Sequence, residues 1–548
     1  MSRRSRLLLS GLCVLPLALA ACADTTDVEK PSDTAESADV VGDVRFETSC
    51  AEDVRAAFDS AAATLHSFEF DEARGMFEAI ASEDPDCAMA TWGVAMTYYH
   101  PLWAPPTDEV LRLGAEAVER ARSMETTERE TLYIAAIGAF FDDAESLEHR
   151  ERAIRYEKAM AEVHGQYPDD REAEIFYALA MLSNADPTDK TYAVQKRTGA
   201  MLEPLFVDMP NHPGLAHYII HSYDYPPLAE RAVDAAHRYL EIATSMPHAL
   251  HMSGHIFTQL GMWEDSIDAN TRSAEAARER AERFGLAQDQ KNEMHALDYL
   301  VYAYLQRGQD ENAGRIVEDI DSRSDLNWRN GVVSFNAGAV PVRYAMERRD
   351  WEAAASLEPL EAAEKAGGNY EVRNSVALRY WARVVGAARS GQIEQAERDL
   401  VELERLAREL KSAETVWARN TSEVLRRQAA AWLALAKNEP ERALELMRSA
   451  AELERATDKS GLSPGRVLPA REQLGDMLAE LGRPQEALAE YEASMSQAPR
   501  RFNSYVGAAR AAEGAGEAEV AQGYYEQLLE LAAEDSTRAE LAEAKDAT

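Results

Sequence analysis

The chain has four cysteines in 548 residues, only 8% aromatic residues, and too few basic groups to balance its acids. Lys plus Arg is 58 against 96 for Asp plus Glu, a formal charge of −38. Such scarcity of positive charge excludes a protein built to hold a nucleic-acid backbone, which needs clustered Lys and Arg. It favours solubility and cationic or metallic partners. Beyond Ala21 no apolar run approaches the roughly 20 residues that a membrane-spanning helix needs. Enzyme signatures are missing as well. There is no Gly-rich phosphate loop, dinucleotide fingerprint or Ser-centred nucleophile elbow, and Tyr218 and Met252 stand where a zincin motif needs Glu. No run of alternating β-branched residues predicts a strand. With 46% hydrophobic residues, 21 Pro and 28 Gly, the chain is neither disordered nor collagenous, and its length allows several domains or one repeat array.

What is present starts with Arg3, Arg4 and Arg6 ahead of the apolar run Leu7 to Ala21, the layout of an export signal. That run ends Leu19-Ala20-Ala21-Cys22, which resembles the lipobox of bacterial lipoproteins. The resemblance implies cleavage before Cys22 and lipidation of its thiol; ordinary cleavage at small residues is the alternative. Residues 1–21 then form the leader, and 22–48, rich in Asp, Glu, Ser and Thr, a disordered acidic tether. The expected place is the cell envelope, on the periplasmic face or the cell surface, with the membrane a partner through the lipid. Cys13 leaves with the leader, so Cys50 and Cys87 remain in a compartment that permits oxidation. They open the first and third predicted helices, whose starts lie level if successive hairpins stack. A disulfide is therefore expected, with two buried thiols as the alternative.

From Cys50 onward, Ala-rich amphipathic stretches alternate with short Gly, Pro or Asp breaks, predicting an all-α chain. Gly482, Ala487 and Tyr491 are echoed about 34 residues later by Gly516, Ala521 and Tyr525. The same turn glycine and small residue five on recur at Gly261/Ser266, Gly308/Ala313 and Gly391/Ala396, with degenerate copies at Phe68/Phe70/Ala73, Trp351/Ala354 and Asn438/Ala443. The glycine closes a turn between two helices, and the small residue lets the second pack on the first. On these residues the chain resembles the tetratricopeptide-repeat family from Cys50 to Ala542. Segments such as Asp86 to Gly93 and His217 to Asp224 resemble a subfamily of exported bacterial members. The resemblance implies a solenoid of antiparallel helix pairs in a right-handed superhelix, with N-terminal repeats over 49–210, histidine-rich repeats over 211–320 and C-terminal repeats over 321–548. It also implies a protein or peptide partner in the concave groove.

Histidine is distributed unevenly. Seven of the 12, namely His212, His217, His221, His237, His248, His251 and His255, fall between residues 212 and 255. His217, His221 and Asp224 are spaced i, i+4, i+7, one stripe on a helix turning ~100° per residue. His251 and His255 repeat the i, i+4 pair, with His248 one turn earlier, and His295, Asp298 and Tyr302 form a third stripe. Counting from Ser266 and Ala313, the last two stripes occupy repeat positions two, five and nine, which in the family line the groove. Imidazole suits Zn, Cu, Fe or Ni, and an HxxxH pair presents two nitrogens on one face. The alternatives are a peptide-gripping groove and a structural hydrogen-bond network. His100, beside Pro101-Leu102-Trp103-Ala104-Pro105-Pro106, either reaches the groove or only ends its helix. Arg343, Arg373 and Arg379 are weak candidates for holding an acidic partner. The expected function is a membrane-tethered scaffold whose His/Asp site holds a transition metal, with a metal-dependent hydrolytic or redox enzyme and an envelope metal carrier as alternatives.

Overall fold

A computed structural model describes residues 41–102, 105–413 and 415–548. Cys22, Trp103 and Ala104 lie outside the described residues. Among the described residues there are 26 α-helices, two short 3-10 segments and no strand, and no helix is long and apolar enough to cross a membrane. The chain is an all-α array of helix pairs, each packed on its neighbours in sequence.

The turns obey the register read from the sequence. Gly261, Gly308, Gly391, Gly482 and Gly516 all take left-handed backbone, φ +67° to +81°, at the turn between paired helices. Where the register lacks glycine the backbone does the same thing at a cost: Phe68, Arg349 and Asn438 sit at φ +60°, +55° and +62°. For a side-chain-bearing residue this conformation is strained by roughly 1–2 kcal/mol, so packing must hold it there.

Residues 43–46, placed in the tether by the boundary at residue 48, pack on the folded repeats. Val44 and Phe46 are each 5% exposed, and the Phe46 ring packs on Phe58, Trp92, Tyr133 and Phe176. These are the apolar exceptions in an otherwise polar segment, and they strap it onto the first repeats. Asp43 N–H donates to the Asn211 carbonyl at 3.0 Å. Cys50 and Cys87 form a disulfide across 37 residues. The first core runs unbroken from Val44 to Ala276, crossing the division expected at 210.

The array also closes on itself. Trp263 Nε1–H donates to the Arg500 carbonyl at 2.7 Å, and Phe502 N–H donates to Gln306 Oε1 at 3.1 Å. Arg501, fully buried, donates to Tyr302 Oη at 2.7 Å and pairs with Glu347 and Glu472. The last helices therefore dock against the Trp263–Arg283 and Gln290–Gln306 helices in the middle of the chain. A loop over residues 457–469 turns inward: Lys459 Nζ lies 3.0 Å from Asp224 Oδ2, and Tyr299 and Tyr302 lie against Ser463 and Gly465. The concave face expected to stay open for a peptide is lined here by the chain's own segment.

Candidate functional site

Three helices carry the histidines: Pro213–Tyr223, Pro247–Leu260 and Gln290–Gln306. Pro213 and Pro247 start the first two, where a missing N–H costs nothing. The structure gathers six imidazoles into two triads, His217/His221/His248 and His251/His255/His295. Within each, one ligand atom per residue lies within 4.8 Å of the others.

In the second triad the proton positions follow from the neighbours. Asn270 Nδ2 donates to the Ser266 carbonyl, which turns its Oδ1 toward His251 Nδ1 at 2.7 Å; that nitrogen must be the donor. Gly254, between the two histidines, makes room for this contact, since a Cβ there would meet Asn270 Nδ2 at 2.5 Å. His255 Nδ1 faces Asp224 Oδ2 at 2.7 Å and likewise donates. The remaining nitrogens, His251 Nε2 and His255 Nε2, face each other at 3.0 Å. Burial and the other imidazoles hold His251 well below its usual range, and burial lowers His255 despite Asp224, so both rings are neutral at pH 7. Two lone pairs then point at one another. The Tyr299 hydroxyl, 3.2 Å from His255 Nε2 and 3.3 Å from the Ser463 carbonyl, has one proton and relieves at most one of them. His295 completes the triad with its ring centroid 4.1 Å from that of His251; its Nδ1 is buried with no hydrogen-bond partner, and burial pushes its pKa down to about 3.

The first triad is built similarly. His217 Nδ1–H donates to the His66 carbonyl at 2.7 Å, leaving Nε2 to face His221 Nε2 at 3.1 Å. Burial and then His221 push His217 well down, and burial and then His255 take His221 to about 3. His248 lies against His217, ring centroids 5.2 Å apart. Asp224 follows directly on the Pro213–Tyr223 helix, where burial would raise its pKa, but Lys459 and His255 outweigh that and hold it below the ordinary carboxylate range. It therefore supports His255 from behind, the outer-shell role that carboxylates play for metal-binding imidazoles. Gln259 Nε2 donates to its other oxygen at 3.0 Å.

Other candidates lie elsewhere. Asp298, fully buried, takes a two-pronged bond from Arg343 at 2.9 and 3.2 Å and is spent there, because a buried carboxylate needs a cation and the nearest is on the next repeat. Tyr302 faces the buried Arg501 and not the imidazoles. His100 Nε2 donates to the Thr97 carbonyl at 3.0 Å and its ring stacks on Phe70, so it ends its helix. Arg379 is buried, burial lowering its pKa to about 10, while Arg373 is exposed. Asn270, Tyr299 and Lys459 also belong to the site. Asn270 sits four residues after the small-residue position Ser266 on the partner helix and Tyr299 stands i+4 from His295, so both leave a trace in the spacing, whereas Lys459 leaves none.

A third cluster, His66/Glu172/His212, is equally tight and fully buried. His66 Nε2 and His212 Nε2 flank the two Glu172 oxygens at 2.9 and 2.8 Å; His66 Nδ1 meets Tyr218 Oη at 2.9 Å, and His212 Nδ1 accepts from Leu215 N–H. Each ring nitrogen there has a partner within the chain.

No protein-family model matches the chain, and no curated protein matches it. Among solved structures it is similar to yeast Tom70, with 13% identity over 90% of this chain and 95% of that one at a TM-score of 0.35. A tetratricopeptide repeat protein from Parabacteroides merdae is 12% identical over 55% of this chain and 96% of its own, at a TM-score of 0.28. IFIT1 with Gppp-AAAA is 11% identical over 90% and 99%, at a TM-score of 0.37.

Proposed function

We propose that the protein is an exported helical-repeat scaffold, tethered through Cys22, that holds a transition metal ion on its inner face through His251, His255 and His295. The observation that carries this reading is the pair of Nε2 lone pairs facing at 3.0 Å, each fixed by an acceptor on the opposite ring nitrogen. A neutral pair so arranged repels unless a cation lies between, and Nε2 ligation with Nδ1–H held by a carboxylate or amide oxygen is how histidine presents itself to zinc and its neighbours. The donor set is all nitrogen, which suits Zn, Cu, Ni or Fe and not Mg or Ca. The leader and the Cys22 sequence support the envelope placement.

Metal-dependent turnover is a second reading, favoured by one observation. Three imidazoles leave a tetrahedral ion a fourth position, as catalytic sites do, and the Tyr299 hydroxyl stands beside it.

The test is elemental analysis of the full chain, purified without a histidine tag, beside a His251→Ala/His255→Ala variant. Stoichiometric metal that the variant loses supports the reading. A metal-free protein that stays empty after reconstitution with Zn, Cu, Fe and Ni would overturn it and leave a structural network.

A further inference from the structure

We infer that the chain carries a second, separate metal centre at His217, His221 and His248, so that it binds two ions and not one. The inference rests on the first centre only in assuming that these imidazoles meet metal at all; its own support is independent. His217 is locked with Nδ1–H on the His66 carbonyl, a main-chain acceptor 151 residues away, so its Nε2 is turned inward as an acceptor by the fold itself. Three ring nitrogens, one from each residue, lie within 4.8 Å of one another, so a small inward turn of the rings brings them to the roughly 4.2 Å or less that one ion with imidazole ligands at about 2.0–2.1 Å requires.

The pocket is shaped by one residue. Phe68 occupies the turn position where other repeats carry glycine, at φ +60°, and is 4% exposed. Its ring lies 4.4 Å from that of His217, 5.8 Å from that of His221 and 5.8 Å from that of His248, stacking on the last two. A strained backbone thus places one aromatic face over all three ligands, orienting the rings and keeping bulk water from competing for the ion. Backbone strain of this kind is retained where the surrounding structure requires it.

The two centres share a wall. Asp224, one turn beyond His221, is the outer partner of His255 in the other triad. No histidine is common to both triads.

The other two clusters of ligand-type residues do not compete. Cys50 and Cys87 beside Asp84 are joined as a disulfide and offer no thiolate, and His66/Glu172/His212 has used its ring nitrogens internally.

The experiment is equilibrium dialysis of the full chain against Zn(II), with zinc per chain read by elemental mass spectrometry. The wild type is expected to hold two ions, His221→Ala/His248→Ala one, His251→Ala/His295→Ala one, and the fourfold variant none. A wild type that binds one ion, lost in the His251→Ala/His295→Ala variant and retained in His221→Ala/His248→Ala, would overturn the second centre and leave the first standing. A single ion lost in both variants would mean one shared centre and would also overturn it. Two ions that survive the His221→Ala/His248→Ala change would put the second ion elsewhere and overturn it equally, and a chain that takes up no zinc and stays empty in the same dialysis against Cu, Fe and Ni would overturn both readings. Should the variants fail to fold, Co(II) titration of the wild type replaces them: tetrahedral absorption that grows to two equivalents sustains the inference, and saturation at one refutes it.

Discussion

The His251/His255/His295 triad and the His66/Glu172/His212 cluster bring ligand-type side chains equally close, the second fully buried and the first buried but for a half-buried His295, yet their chemistry is opposite. In the second, a carboxylate lies between the imidazoles, and each ring nitrogen ends on a group of complementary character. Burial would raise the Glu172 pKa, but His212 and His66 outweigh it and hold the carboxyl far below its usual range, so the cluster is a self-sufficient ion-and-hydrogen-bond knot. In the first, the carboxylate stands behind the imidazoles, at Asp224, and the nitrogens left over face one another. Proximity of ligand-type side chains does not mark a metal centre. What marks it is where the protons must sit once the outer partners have been counted.

The comparison can be broken most forcefully at Glu172. Glu172→Ala removes the anion from a buried knot and leaves two imidazoles without it, so a loss of about 3–5 kcal/mol of stability is expected by urea unfolding. Zinc stoichiometry should not change in whatever fraction stays folded. A variant that unfolds normally but loses zinc would reverse the roles assigned to the two clusters.

Acid gives the next largest effect. Folding lowers the pKa of all six triad histidines, to about 3 at His221 and His295, from the ordinary 6.5 that the unfolded chain keeps. Below pH 6.5 the unfolded chain takes up protons that the folded chain refuses. Stability of the metal-free protein is therefore full above about pH 7 and falls as pH drops below 6.5, His221 and His295 each adding up to about 1.4 kcal/mol per pH unit to the slope and the other four steepening it further. Denaturant midpoints at pH 7.5, 6.5 and 5.5 measure this. His251→Ala/His255→Ala/His295→Ala should flatten the dependence by about half, and an unchanged slope would mean these rings are not the protons involved.

A smaller effect sharpens the outer shell. Asn270→Ala removes the acceptor that fixes the His251 ring, and zinc affinity should fall roughly 10–100-fold while the ion count at saturation stays the same. Competition with a chromophoric chelator reads this out. Smallest of all, Lys459→Met removes a cation 3.0 Å from Asp224, which opposes metal charge across one carboxylate. A few-fold gain in zinc affinity is expected, of the order of one exposed-to-half-buried charge interaction, and a loss would show that Lys459 holds the site together.

Much of the fold was legible because helical repeats write their geometry locally. Gly261, Gly308, Gly391, Gly482 and Gly516 mark turns whose left-handed backbone only glycine adopts freely, and Phe68 and Asn438 were placed by register despite lacking it, as was Trp351, two residues past the left-handed Arg349. The same register put His248, His251, His255 and His295 on the inner face. It failed for Asp298 and Tyr302 because their partners, Arg343 and Arg501, are 45 and 199 residues away. Spacing along one helix shows which way a side chain points and is silent on what a distant repeat brings to meet it. The His66 carbonyl and Lys459 escaped for the same reason: a main-chain oxygen has no sequence signature, and the 457–469 loop reaches the site only through the closure of the array.

That closure changes how the molecule should come apart. An open stack of repeats unfolds from its ends, because each unit touches only its neighbours and stability is a sum of local terms. Here Trp263 holds Arg500, Tyr302 and Glu347 hold Arg501, and Asp310 holds Arg538. The final repeats are thus fastened to the middle of the chain, and the terminus that would fray first is tied to the helix that carries His295. The C-terminal half cannot be shed without loosening the site, so the repeats from Trp263 to Arg538 are expected to come apart together, with the last helices guarding the histidine-bearing middle.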